Sequence, residues 1–243
     1  GKERRSLILS DDEKRITAYH EAGHALAAKM LPGTDPIHKV SIIPRGRALG
    51  VTMQLPDEDR HGYSRTFLRN NLVVLLGGRV AEELVMNEMT TGAGNDIERA
   101  SKMARKMVCE WGMSDAIGPQ AIGEHEEEVF LGREWGHSNQ ISEETARLVD
   151  AEIKRFMEEA RQRCRKILEE NLDSLHAIAA ALLERETITG DDIDLLIQGK
   201  PLPPFDPGRP EPAPVRPAED RPTPSDDGAT FTLHSESDVA PES

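Results

Sequence analysis

Apolar residues recur with a helical period over most of residues 1–200, so the chain is predicted to be mainly α with a small β-sheet. The first helix is expected to begin at Ser10, because Ser10 and Glu13 match the capping-box pattern. An alanine-rich run sustains this helix through Ala28, and Pro32 with Gly33 is expected to end it.

A second apolar pattern predicts a helix over residues 64–85 that is buried on most sides. Gly77 and Gly78 lie inside it. Because the apolar pattern continues beyond them, they indicate close approach to a neighbouring segment rather than a helix end. Between these two helices, residues 39–43 and 50–54 are rich in β-forming residues and are predicted to pair as two short strands.

Helices are also predicted in the second half of the chain. After a loop of small residues, Asp96 begins a helix that extends to about residue 111, whereas residues 112–136 show no regular pattern. Ser142 begins the longest helical stretch, which is followed by a helix at 172–185 and a short last helix capped by residues 187–192. No chemistry is visible on these last helices, so packing or subunit assembly is their expected role.

The net charge of −14 narrows the range of functions, because an acidic surface repels phosphate and argues against nucleic acid as a partner. Cys109 and Cys164 form no CxxC pair, so two reduced thiols are favoured over a disulfide, and cysteine is not expected to bind a metal. No apolar run is long enough to span a bilayer, so the chain as given is expected to be soluble. From its polar start at residues 1–5, the chain is expected to begin at a cut between domains, and a preceding segment is expected upstream.

The first predicted helix carries the motif HExxH. Residues four apart project from nearly the same side of a helix, so His20 and His24 can offer two imidazole nitrogens to one metal ion. Glu21 lies at the edge of that side, where its carboxylate can reach a water on the metal and act as general base. The alternative is a chance match to a short pattern, and the helical context and small neighbouring residues argue against it.

A catalytic zinc site needs a third protein ligand. The metzincin pattern is excluded, because Ala27 and Met30 stand where its glycine and histidine would be. The remaining acidic candidates are Glu82 and Glu83 in the second predicted helix, and Asp96. Asp96 is equally well explained as a first-turn residue favoured by the helix dipole, so the residues alone leave the choice open.

The composition changes sharply at residue 201. Eleven of the 16 prolines lie in residues 201–243 with only two aromatic residues, so this segment is expected to be a disordered, acidic, proline-rich tail. We expect one domain over residues 1–200, in which a metal-binding half at about 6–136 precedes a helical bundle at about 141–198.

Six motifs, in this order, make the chain resemble the peptidase domain of the FtsH family, the membrane-anchored AAA+ zinc proteases of peptidase family M41. They are AYHEAGHA at 18–25, DPIHKVSIIPRGRALG at 35–50, GGRVAEE at 77–83, TGAGNDI at 91–97, VFLGR at 129–133 and ETARLVD at 144–150. The resemblance covers roughly residues 3–196 and leaves out the tail.

The resemblance implies a zinc-dependent endopeptidase with one Zn²⁺ per chain, bound by His20, His24 and Asp96. Glu21 would activate a zinc-bound water that attacks the peptide carbonyl, and Glu82 would orient a histidine ring. The family further implies the proteolytic part of an ATP-dependent, processive protease that degrades unfolded membrane and cytosolic proteins.

The family's proteases are homo-hexamers in which an AAA+ ATPase and transmembrane segments precede the peptidase domain. ATP would bind only in that upstream module, because no GxxxxGKS/T loop occurs in this sequence. The whole protein is expected in the bacterial inner membrane, with this domain on the cytoplasmic side.

The strand that includes Gly50, Val51, Thr52 and Met53 is a plausible edge onto which an extended substrate peptide adds. The alternative hypothesis for the function is a hexamerising scaffold domain with a structural or vestigial metal site. A structural zinc usually has four protein ligands. Because only three are identified in this sequence, the scaffold hypothesis is disfavoured.

Overall fold

A computed structural model describes residues 10–44, 49–55, 62–122 and 141–204 of the chain. Over these residues the fold is mainly helical with one small sheet, which confirms the predicted fold class. The helices are α1 (Asp11–Met30), α2 (Arg65–Leu75), α3 (Gly77–Met86), α4 (Gly94–Cys109), α5 (Glu143–Glu170), α6 (Leu172–Arg185) and α7 (Gly190–Ile197). The strands are β1 (Ile37–Ser41), β2 (Val51–Gln54) and β3 (Thr187–Thr189), and a short 3-10 turn covers Thr91–Ala93.

The central helix of the fold is α1, and it begins as the sequence predicts. The Ser10 hydroxyl accepts a hydrogen bond from the Glu13 amide at 3.2 Å, and the Glu13 carboxylate accepts from the Ser10 amide at 2.9 Å. From Thr17 to Ala28 nearly every residue is buried, and α1 packs mainly against α3 and α6. The HExxH motif is therefore enclosed on a helix in the middle of the domain.

The predicted helix over residues 64–85 is divided, which corrects the expectation of one continuous helix. Leu76 separates α2 from α3, with φ −85° and ψ −4°, directly before the two glycines, whose helix propensity is low. The expected close approach is confirmed. A Cβ on Gly23 would collide with the Gly77 carbonyl oxygen, and a Cβ on Gly77 would lie 2.7 Å from the Gly23 carbonyl oxygen. Only glycines allow α1 and α3 to pack this closely.

The sheet has the order β2-β1-β3, with both pairs antiparallel. Val40 of β1 lies opposite Thr52 on one side and Ile188 on the other. The first strand starts and ends two residues before the predicted range of 39–43. The capping box of Thr189 and Asp192 begins α7, as predicted. The strand β3 is a correction, because its residues were expected only as part of that helix cap. In this sheet β2 is an edge strand.

The buried apolar side chains form one cluster that includes residues of α1 to α6. Helix α5 packs against α2, α3 and α4, while α6 packs against α1. Cys109 and Cys164 are buried free thiols, as predicted, and burial raises the pKa of Cys164 to about 12. The core thus includes parts of both the predicted metal-binding half and the predicted bundle, whose division stays a prediction.

Several predicted features lie outside the described residues, among them the VFLGR motif at 129–133 and the tail from residue 205 onward. Within the described part of the chain, no helix combines the length and the hydropathy needed to cross a membrane.

Candidate metal centre

Three side chains from two helices converge on one point. His20 and His24 lie one turn apart on α1, and their Nε2 atoms are 3.1 Å from each other. Asp96, in the first turn of α4, places Oδ2 3.3 Å from the Nε2 atom of each histidine. These ligand-type atoms all lie within 4.8 Å of one another, close enough to share one metal ion.

The second nitrogen of each imidazole has a partner on another helix. His24 Nδ1 lies 2.7 Å from the carbonyl oxygen of Val74 at the end of α2. A carbonyl can only accept a hydrogen bond, so His24 carries its hydrogen on Nδ1 and its Nε2 lone pair faces the cluster. His20 Nδ1 lies 2.7 Å from Glu82 Oε1 of α3, which is 1% exposed.

Glu82 is itself held in place. Its Oε2 accepts two hydrogen bonds of 3.0 Å, from the backbone amide and the hydroxyl of Thr90. Burial raises the pKa of Glu82, but the bonds from His20 and Thr90 outweigh it and lower this pKa below its usual range. The Glu82 carboxylate is therefore ionised and accepts the hydrogen of His20 Nδ1, so that the neutral imidazole has its Nε2 lone pair facing the cluster.

The arrangement calls for a cation. With both imidazoles neutral, two nitrogen lone pairs and a carboxylate oxygen face one another, which is unfavourable unless a positive charge, either a proton or a metal ion, lies between them. Burial lowers the pKa of His20, but its bonds to Asp96 and Glu82 outweigh this and raise that pKa to about 9. Burial likewise raises the pKa of Asp96, but the two histidines lower it well below its usual range. The residues present fit a divalent metal with two nitrogen ligands and one oxygen ligand.

A glycine makes room for the ring of His20. A Cβ on Gly78 would lie 2.5 Å from Nδ1 and Nε2 of His20, so any larger residue would displace the imidazole. The sequence indicated a close neighbour for this glycine pair without identifying it. That neighbour is α1 with its first histidine.

The three acidic candidates are separated by the fold. Glu83 forms ion pairs with Arg79 at 2.8 Å and Arg161 at 3.4 Å, and Glu82 faces Nδ1 of His20 rather than Nε2. Only Asp96, of these three, faces the Nε2 atoms. The sequence does not predict the contacts of Thr90 and of the Val74 carbonyl, because no local pattern marks a loop donor or a backbone carbonyl as the partner of a distant side chain.

The candidate base and the candidate substrate strand lie side by side. Glu21 is buried, and its Oε2 accepts a hydrogen bond of 2.6 Å from the hydroxyl of Thr52 on β2. Val51, Thr52 and Met53 belong to β2, and Gly50 directly precedes it. The sequence singled out Thr52 as a strand residue but gave no indication of its contact with Glu21.

Comparison with known proteins agrees with this geometry. The family model for peptidase family M41 matches residues 7–196. The chain is 56% identical over 207 residues to an ATP-dependent zinc metalloprotease FtsH of Acidobacterium capsulatum, covering 85% of this chain and 32% of that protein. It is 56% identical over 201 residues to the protein of the same name from Magnetococcus marinus, covering 83% of this chain and 30% of that protein.

A third relative, ATP-dependent zinc metalloprotease FtsH 1 of a Thermoanaerobacter species, is 52% identical over 202 residues, which cover 83% of this chain and 33% of that protein. The chain therefore spans about a third of the length of the curated relatives it matches. With the family model covering most of its length, this chain belongs to peptidase family M41.

Proposed function

We propose that the domain is a zinc-dependent endopeptidase in which His20, His24 and Asp96 hold one Zn²⁺. The observation that carries this proposal is the convergence of two Nε2 atoms and Asp96 Oδ2, with the carboxylate of Glu21 one residue from the first histidine. The relatives named as zinc metalloproteases support the choice of metal. Glu82 and the Val74 carbonyl keep the two imidazoles in the orientation and tautomer that metal binding requires.

A zinc ion held by His20, His24 and Asp96 would supply the Lewis acidity that activates the scissile carbonyl and the attacking water. Glu21 acts as general base and takes the proton of the attacking water. Its Oε1 is the oxygen available for this step, because Oε2 accepts the hydrogen of Thr52. Glu21 then returns the proton to the leaving amine, so that the carboxylate is regenerated after each cleavage.

The substrate is proposed to be an unfolded polypeptide bound in extended form. As the edge strand of the sheet, β2 can pair with such a chain through main-chain hydrogen bonds, with Gly50, Val51, Thr52 and Met53 beside the base. Main-chain pairing gives weak side-chain specificity, which suits a degradative enzyme. A stably folded protein offers no free extended segment to this edge.

The rest of the protein is proposed to supply the ATPase activity that drives substrate unfolding. Because the relatives are about three times longer than this chain and are named ATP-dependent, we place ATP binding in an upstream AAA+ module. That module and its transmembrane segments would anchor a homo-hexamer in the bacterial inner membrane, with this domain on the cytoplasmic side.

The proposed function predicts that Glu21→Gln separates metal binding from catalysis. The variant keeps all three ligands, so it should retain zinc, while loss of the base should lower casein cleavage by about 10²- to 10⁴-fold. Zinc content and casein cleavage are measured on the same preparations. The control is Glu98→Gln, which removes an exposed carboxylate on α4 and should change neither quantity. Equal cleavage by Glu21→Gln and the unchanged chain would show that the protease proposal is wrong.

A further inference from the structure

The edge strand touches the candidate base directly, through the side chain of Thr52. The Thr52 hydroxyl lies 2.6 Å from Glu21 Oε2 and 3.4 Å from the Glu21 carbonyl oxygen. A hydroxyl has one hydrogen, and the shorter, charge-assisted contact takes it. Thr52 therefore donates to the carboxylate rather than to the backbone of α1.

A second contact confines the other oxygen of the same carboxylate. A Cβ on Gly50 would lie 2.6 Å from Glu21 Oε1 and 2.8 Å from Glu21 Cγ, so the Gly50 backbone packs directly against this side chain. One carboxylate oxygen, Oε2, thus accepts a hydrogen bond, and the other, Oε1, has the Gly50 backbone on one side. Both contacts come from the start of β2, because Thr52 belongs to this strand and Gly50 directly precedes it.

The donor has a fixed place. Thr52 lies opposite Val40 of β1, which is fully buried, and β1 is in turn paired with β3. Glu21, by contrast, has a long side chain whose rotatable bonds do not by themselves fix the position of its carboxylate. The hydrogen bond therefore transfers the rigidity of the sheet to a side chain that would otherwise sample several positions, most of them unsuited to proton transfer.

We propose that Thr52 is a positioning residue that holds Glu21 in its productive orientation, so that one strand both receives the substrate and sets the base. This inference rests on the proposed function. It adds that the side chain of Thr52 acts on the rate of the chemical step, while the main chain of β2 acts on substrate binding.

The two roles separate in the kinetics of Thr52→Val, which has the same shape and a high strand propensity but no hydroxyl. We expect kcat for an unstructured peptide to fall about 10- to 100-fold, as for loss of other groups that orient an active-site side chain. KM should stay unchanged, because the main-chain pairing is intact. Zinc content should also stay unchanged, because Thr52 touches none of the three proposed ligands. Thr52→Ser restores the donor and should return most of kcat.

The matched control is Thr187→Val, which makes the same chemical change on the opposite edge strand, where the hydroxyl contacts Ser41 at 2.8 Å. It should keep the kcat of the unchanged chain. If Thr52→Val does not fold, as judged by its thermal unfolding, the comparison of Thr52→Ala with Thr52→Ser makes the same test.

A folded, zinc-loaded Thr52→Val with unchanged kcat would overturn the positioning role, and so would a Thr52→Ser variant as slow as the valine variant. Either result leaves the protease proposal standing. Absence of zinc-dependent cleavage by the unchanged chain is a different outcome, because it removes the proposed function and the role of Thr52 together.

Discussion

At the scale of single residues, the two nitrogens of each imidazole of the centre make different contacts. The Nδ1 atoms of His20 and His24 are hydrogen-bonded to Glu82 and to the Val74 carbonyl, and Asp96 faces both Nε2 atoms. The two carboxylates are therefore distinguished by the nitrogen that each one meets. Asp96 stands where a metal ligand would be, whereas Glu82 stands where a group that orients a ligand would be.

This difference predicts that Asp96→Asn and Glu82→Gln have unequal effects on zinc affinity. Loss of an anionic ligand should lower affinity steeply, whereas loss of an orienting partner should cost about 10- to 100-fold in affinity or activity. A zinc titration of the metal-free variants measures both.

If Asp96 is only a first-turn residue, Asp96→Asn should leave zinc content unchanged and cost at most about 1 kcal/mol of stability. A Glu82→Gln variant that loses zinc while Asp96→Asn stays loaded and active would reverse the two assignments.

At the scale of elements, the centre depends on how closely two helices approach. The contact of α1 with α3 is made by glycines, Gly23 against Gly77 and Gly78 against the ring of His20. Glycine inside a helix costs about 1 kcal/mol of helix stability relative to alanine. At these positions the close packing of α1 and α3 therefore requires residues that weaken the helices themselves. The same contact brings Glu82 of α3 within reach of His20.

The packing predicts that Gly23→Ala destabilises the domain although alanine is the better helix former. A Cβ there would collide with the Gly77 carbonyl and lie 2.7 Å from the Ala81 Cβ. Overpacking of this kind should cost about 1–3 kcal/mol net, measured by denaturant unfolding, and should weaken zinc binding as the helices separate.

Gly94→Ala is the control for this prediction, because a Cβ at that helical position meets nothing within 4 Å. It should leave the free energy of unfolding unchanged or raise it by up to about 1 kcal/mol, because alanine is the better helix former. A Gly23→Ala variant at least as stable as the unchanged chain would contradict the packing argument.

At the scale of the whole molecule, α5 and α6 carry apolar side chains on two sides, one facing the core and one exposed. Their inner side chains, such as Phe156 and Leu182, belong to the core around α1. Outer positions also carry large apolar side chains, with Leu148 39% exposed, Leu172 39% and Leu183 43%. Because no candidate metal ligand lies on these helices among the described residues, subunit assembly is the function that we propose for their outer surface.

We therefore expect the domain to assemble by itself, and sedimentation at micromolar concentration should show a species larger than the monomer. Replacing Leu148 and Leu183 by serine should shift the distribution towards the monomer. Met89→Ser, at a 66% exposed position outside these helices, should not. A monomer for the unchanged chain would count against this prediction.

The sequence by itself determined the local structure. The capping boxes that begin α1 and α7, the bounds of α6 and the helical placement of His20 and His24 follow from interactions among residues a few positions apart. Such interactions act in the same way whatever surrounds them, so a pattern in the chain is enough to predict them.

Tertiary structure decided which distant groups meet. Asp96 faces the histidines and Glu83 does not, although the residues alone leave both of them open as candidate ligands. The pairing of β3 and the bond from Thr52 to Glu21 likewise depend on contacts between distant segments. These contacts are set by close packing of small residues and by the order of strands in a sheet, and neither has a short-range signal in the sequence.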